Sequence, residues 1–119
     1  MSPTQRTLKF YRGIGFTACV VEKWIPQTRR RLDAFGFGDL LCCEPDFGII
    51  LAQACAGASH AARRTKILSE PRAAQWLAAN GRIDVVSWSK RGARGKRKVW
   101  TCRREEITAE MLLTVAEAA

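Results

Sequence analysis

Two polar side chains in an otherwise apolar stretch raise the first chemical question. Between Arg31 and Cys55 the chain reads RLDAFGFGDLLCCEPDFGIILAQAC, which sets Asp39 and Gln53 among Leu, Ile, Ala and Cys. Leu40 to Cys43 and Ile49 to Cys55 are apolar runs of strand length, and Glu44-Pro-Asp-Phe-Gly48 between them has the Pro, Asp and Gly of a turn. The pattern predicts a β-hairpin. Alternation places Phe37, Asp39, Leu41 and Cys43 on one face, and Ile49, Leu51, Gln53 and Cys55 on one face of the next strand. A register that joins those faces makes Asp39 and Gln53 neighbours. A carboxylate in such surroundings must be neutralised or paired with a cation, and a divalent metal is one candidate.

Positioning that pair falls to the elements on either side. Thr4 to Gly13 predicts a short helix closing at Gly13 or Gly15, and Phe16 to Trp24, rich in β-branched and aromatic residues, predicts the first strand. Glu22 and Lys23 point to opposite faces there, so one of them looks toward Asp39. Pro26 ends the strand, and Gln27 to Leu32 reads as a basic loop. Asp33 at its exit has three readings: a turn cap, a partner for the arginines before it, or a metal ligand. Gly36 and Gly38 around Phe37 mark a bend or bulge.

After Gln53, Ser59 is placed to cap a helix from about His60 to Leu68, with His60, Arg63 and Lys66 on a largely basic edge. Ser69 is placed to cap a second helical segment ending at Asn80-Gly81, in which Trp76 reads as core. Arg82 to Ser89 and Val99 to Arg103 predict two more strands around the loop SKRGARGKRK, and Thr108 to Ala118 a final helix. The expected fold is one α/β domain over residues 1–119, a central mixed β-sheet flanked by helices in the order αβββαββα.

Composition narrows the partners. In 119 residues, 20 Lys and Arg face 11 Asp and Glu, a formal charge of +9 with a pI near 10.0. That surplus on one small domain favours a polyanion, nucleic acid before anionic lipid. The cations are clustered at Arg29, Arg30 and Arg31, at Arg63, Arg64 and Lys66, and at Lys90, Arg91, Arg94, Lys96, Arg97 and Lys98, the last group without an acid. No apolar run is long enough for a membrane span or a secretory signal, so the expected setting is cytoplasmic, with no membrane partner. The five cysteines lie in strand-like runs and read as small core residues rather than a zinc site.

Gly38-Asp39, a turn, and Gln53-Ala54-Cys55 together resemble the PD-(D/E)XK nuclease motif, in which an Asp opens one strand and (Glu or Gln)-x-Lys closes the next. The element order from Leu8 to Cys102 is similar to that of Holliday-junction-resolvase-like and phage-borne members of this superfamily. The resemblance implies a restriction-endonuclease-like core and hydrolysis of DNA phosphodiester bonds with Mg²⁺ or Mn²⁺. It implies that Asp39, the Gln53 side-chain oxygen and the Ala54 main-chain carbonyl hold the metal, with Glu22 as a further carboxylate if its strand lies beside Asp39. Two positions depart from the motif. Cys55 stands where the family has lysine, and Gln53 where it usually has an acid. Lys66 is then the favoured stand-in, ahead of Lys23, giving Asp39, Gln53 and Lys66 as the catalytic set with Arg63 as a phosphate clamp. The clusters at 29–31 and 90–98 are the expected nucleic-acid contacts, and cutting two strands symmetrically would suit a homodimer. The departures equally favour an inactive nuclease fold kept for DNA or RNA binding. A small RNA-binding structural protein, suggested by charge and size alone, is a third reading that predicts no metal effect.

Overall fold

The hairpin that carries Asp39 and Gln53 forms the middle of a five-stranded mixed sheet. The structure, a computed structural model, describes residues 1–118. Its elements are α1 (Pro3–Gly13), β1 (Thr17–Val20), β2 (Lys23–Ile25), β3 (Arg30–Leu32), β4 (Leu40–Glu44), β5 (Gly48–Ala56), a single 3-10 turn at Gly57–Ser59, α2 (His60–Leu68), α3 (Pro71–Ala78), β6 (Arg82–Arg91), β7 (Val99–Ile107) and α4 (Ala109–Ala118). The sheet order is β1-β4-β5-β6-β7, while β2 and β3 form a separate two-stranded ribbon. Among the described residues only the β5–β6 pair is parallel, and α2 and α3 make its crossover. The chain is thus an α/β domain with helices flanking a mixed sheet.

The element order is αβββββααββα rather than αβββαββα. The strand expected from Phe16 to Trp24 breaks after Val20, because the N–H groups of Val21 and Glu22 both donate to the Asp39 carbonyl and turn the chain off the sheet edge. The basic loop expected over 27–32 supplies β3, which pairs antiparallel with β2. The helix caps also differ. Ser59 makes no side-chain cap, and Ser69 instead donates to the Thr65 and Lys66 carbonyls at the end of α2. Glu70 caps α3 by accepting from the Arg72 N–H. Strands β6 and β7 both run further than predicted: β6 through Lys90 and Arg91, which pair with Trp100 and Val99, and β7 through Glu106 and Ile107, which pair with Asp84 and Ile83.

Both faces of the sheet centre are covered. Alternation along β5 sends Ile50, Ala52 and Ala54 toward α1, where they meet Tyr11, Phe16 and Leu40, and sends Leu51 and Cys55 toward Ile67, Ala73 and Ile83 on the other side. The helices of the second side do not extend over β1 and β4, so Cys19, Leu41 and Cys43 are exposed there. Cys19 and Cys43 are therefore not core residues; Cys42 and Cys55 are, and all five thiols are free. Among the described residues no helix is long and apolar enough to cross a membrane.

Polar contacts fasten α1 to the sheet: the Trp88 indole N–H donates to Thr7 Oγ1, Arg12 donates to the Ala18 carbonyl, and the most buried of them joins Tyr11 to Asp84. The Tyr11 hydroxyl donates to Asp84 Oδ2 at 2.5 Å, both groups are buried, and Arg104 lies 3.6 Å from the same oxygen. Burial holds the Asp84 carboxyl above its usual pKa, and burial together with Asp84 keeps Tyr11 protonated. Tyr11→Phe removes the donor and leaves the buried acid short of a partner, a loss of about 1–3 kcal/mol. Urea denaturation should show that loss; an unchanged midpoint would mean that Arg104 alone satisfies Asp84.

Candidate metal centre and basic cleft

A carboxylate can stay buried only where something else meets its lone pairs, and Asp39 is 3% exposed. Its Oδ2 accepts from the Gln53 side-chain amide and from the Ala54 main-chain N–H, each at 2.7 Å. The strand register makes this possible: Leu40 pairs with Ala52, and the Asp39 N–H donates to the Ala52 carbonyl, so Asp39 lies level with Gln53. Gly38 is required beside it, because a Cβ there would collide with the Leu51 side chain.

Two more acids come to Asp39 by separate routes. Asp33 is returned to it by a tight loop, closed by the Ala34–Gly38 bridge and turned through Phe35 and Gly36, both at positive φ. Glu22 is brought in by the same break that ends β1. One carboxylate oxygen from each of Glu22, Asp33 and Asp39 lies within 4.8 Å of the others, a group able to hold a metal ion. Burial raises the Asp39 pKa to about 8; the hydrogen bond from Ala54 opposes the rise, while Asp33 and Glu22 add to it.

Cations surround these acids without cancelling the arrangement. Arg31 Nη1 lies 2.8 Å from Glu22, and Lys66 Nζ lies 3.3 Å from Asp33. Together with Gln53, Cys55 and Arg63 they line a cleft of about 620 Å³. Gln53 is 2% exposed, and its Oε1 is the one buried side-chain oxygen or nitrogen without a hydrogen-bond partner among the described residues. An orphaned buried acceptor beside three carboxylates is the donor chemistry that a hard divalent cation takes.

The residues singled out from sequence divide into two groups. Asp39, Gln53, Ala54, Glu22, Arg31, Arg63 and Lys66 all line the cleft, whereas Lys23 does not. Ala54 meets Asp39 through its N–H. Arg29 and Arg30 lie on the exposed ribbon. Lys90 and Arg91 end β6, and Arg94, Lys96, Arg97 and Lys98 form the exposed tip before β7; none of the six lines the cleft or makes an ion pair among the described residues.

Asp33, for which the sequence left a turn cap, an arginine partner and a metal ligand open, lies in the acid group. One feature goes beyond the sequence reading. His60 leaves the basic edge of α2 and is buried, with Nδ1 2.6 Å from Ser87 Oγ and Nε2 2.9 Å from Glu105 Oε1. Glu105 is held in turn by Arg64, which ties α2 to β7. Ser87 is itself buried, so this is a structural tie rather than a nucleophile and its base.

No protein-family model matches the chain, and no curated protein or solved structure matches it either.

The acid group sets a pH dependence on the metal-free protein. The folded-state pKa of Asp39, about 8, lies above its ordinary value of 3.8, so the unfolded chain releases that proton first. The stabilisation is complete below pH ~4 and is lost as pH rises toward 8, by an amount on the order of a few kcal/mol. Asp84 acts in the same direction, while Glu105 and Glu106, held below their usual range, act oppositely in acid. Urea melts in EDTA should therefore show stability falling between pH 5 and 8. Asp39→Asn should flatten most of that fall, and equal slopes in both proteins would deny the cluster its role.

Proposed function

We propose that this domain is a metal-dependent nuclease of the PD-(D/E)XK type acting on nucleic acid, with DNA as the expected substrate. The observation that carries the reading is the group of Glu22, Asp33 and Asp39 around a buried amide with an unpartnered oxygen, in a cleft edged by Arg31, Arg63 and Lys66. The antiparallel β1-β4-β5 strands followed by a helical crossover to parallel β6 are consistent with a restriction-endonuclease-like core.

Glu22, Asp33, Asp39 and Gln53 Oε1 are the residues that would hold Mg²⁺ or Mn²⁺. Such an ion, when bound, supplies an acidified water and neutralises charge on the phosphate. The protein's own groups do the rest. Gln53 Nε2 and the Ala54 N–H fix the Asp39 carboxylate. Lys66 and Arg63 on α2 face the substrate phosphate, where fixed positive charge counts most as negative charge develops. Hydrolysis joins the oxygen of water to phosphorus and breaks one ester P–O bond, the departing oxygen taking a proton. A homodimer would present two such clefts to a branched substrate.

A binding-only domain is the second reading, favoured by Cys55 in place of the motif lysine and by the ion pair that already occupies Lys66. Incubation with branched, linear and single-stranded DNA plus Mg²⁺ or Mn²⁺ separates the two. The wild type should cleave at least one substrate, and Asp39→Asn should lose roughly a hundredfold or more. Equal cleavage by both would sink the site. Binding without product on any substrate would select the second reading.

The β6–β7 tip is assigned to phosphate contact. Its cations are exposed, and Gly95 at φ +78° gives the turn its left-handed residue. Changing Arg91, Arg94, Arg97 and Lys98 to Ser should shallow the slope of log K against log salt by roughly 0.9 per lost contact on duplex DNA, about 3 to 4 in all. Affinity should drop evenly across sequences, since phosphate contacts carry no sequence information. A binding titration over a salt series measures this, and an unchanged slope would place the duplex elsewhere.

A further inference from the structure

The β2–β3 ribbon exposes what a folded domain usually hides. Trp24 is 54% exposed and Leu32 is exposed as well, on a segment, KWIPQTRRRL, that holds four cations and no acid. A two-stranded ribbon of three residues per strand is marginal by itself. This one is anchored at its root by the bonds from Val21 and Glu22 to the Asp39 carbonyl. Its turn is tightened by Pro26 and by Arg29 at φ +52°, a conformation that favours glycine, so an arginine is kept at the tip at a cost in strain.

Register gives the ribbon its direction. Trp24 pairs with Arg31, so the two side chains share a face. Arg31 lines the cleft and lies 2.8 Å from Glu22 of the acid group. The exposed indole therefore stands next to the residue that borders the candidate metal centre, with Arg29 and Arg30 beyond it.

We infer that the ribbon is a stacking arm for an unpaired base: Trp24 takes the face of a base in a single-stranded or frayed segment leaving the cleft, and Arg31 on the same face, with Arg29 at the tip, meets its phosphates. The charge of the arm selects a polyanion, and the indole selects one whose bases show their faces, which paired bases in a duplex do not. This rests on the nucleic-acid reading above and deepens it, by specifying a substrate with an unpaired base close to the scissile phosphate.

The test is binding, read by fluorescence anisotropy in EDTA at one fixed salt concentration. Three labelled probes are used: a single-stranded oligonucleotide, a blunt duplex, and a single strand whose central nucleotides are abasic. Trp24→Ala should weaken binding to the base-bearing strand by roughly 5- to 150-fold, the span expected for one base on one aromatic ring. It should change the abasic strand and the duplex little, and Trp24→Phe should keep most of the affinity. Equal losses on the base-bearing and abasic strands would overturn stacking and mark a loss of ribbon structure. An unchanged Trp24→Ala would overturn it too, leaving the indole to a protein partner. Wild-type protein that binds none of the probes would remove the nucleic-acid reading itself, an outcome distinct from failure of the arm alone.

Discussion

Asp39 uses both halves of its residue, and most of the functional end of the molecule depends on how it does so. Its carboxylate is held by an amide and a main-chain N–H from β5, which fixes one acid at the bottom of the cleft. Its carbonyl accepts from Val21 and Glu22, which ends β1, aims Glu22 at the same cleft and starts the ribbon. One residue thereby joins the central strands, a second acid and the basic arm. The carbonyl contacts involve only main chain, so the shape of this corner does not require the carboxylate.

Acids gathered against their own repulsion need a counterweight. Here it comes in two forms, the proton that burial keeps on Asp39 and the cations of Arg31 and Lys66. Both are exchangeable. On the reading proposed above, a divalent ion takes the place of the proton and balances the three acids, which frees the arginine and lysine to meet a phosphate. Away from the cleft the charges do structural work: Glu105 joins His60 and Arg64, and Arg82 pairs with Glu106 at 2.8 Å.

The central hairpin was legible because its code is local. Period-two alternation and a Pro-Asp-Phe-Gly turn give Asp39 and Gln53 faces that can meet, and the register that joins them is the structure's, with Leu40 paired to Ala52. What was not legible depends on groups far apart or on main chain. The break after Val20 is caused by a carbonyl nearly twenty residues on, which no side-chain pattern encodes. Ser59 and Ser69 have the right type for N-caps, but a 3-10 turn precedes one helix and the other serine bonds backward onto α2. His60 fits a basic helix edge by spacing alone, and only the proximity of β6 and β7 draws it inward. Leu41 and Cys43 show the converse: alternation gives their face, yet whether that face is covered depends on how far the helices reach.

The acid group, its amide and its nearest cations all fall between Glu22 and Lys66, one contiguous stretch of the chain. The Glu22–Arg31 and Asp39–Gln53 contacts close short loops, whereas the Lys66–Asp33 pair, 33 residues apart, and the parallel β5–β6 pairing across α2 and α3 close long ones. In folding, the Asp39 hairpin and the ribbon beside it can therefore take shape as a local cluster, before Lys66 joins it and before β6 and β7 complete the sheet.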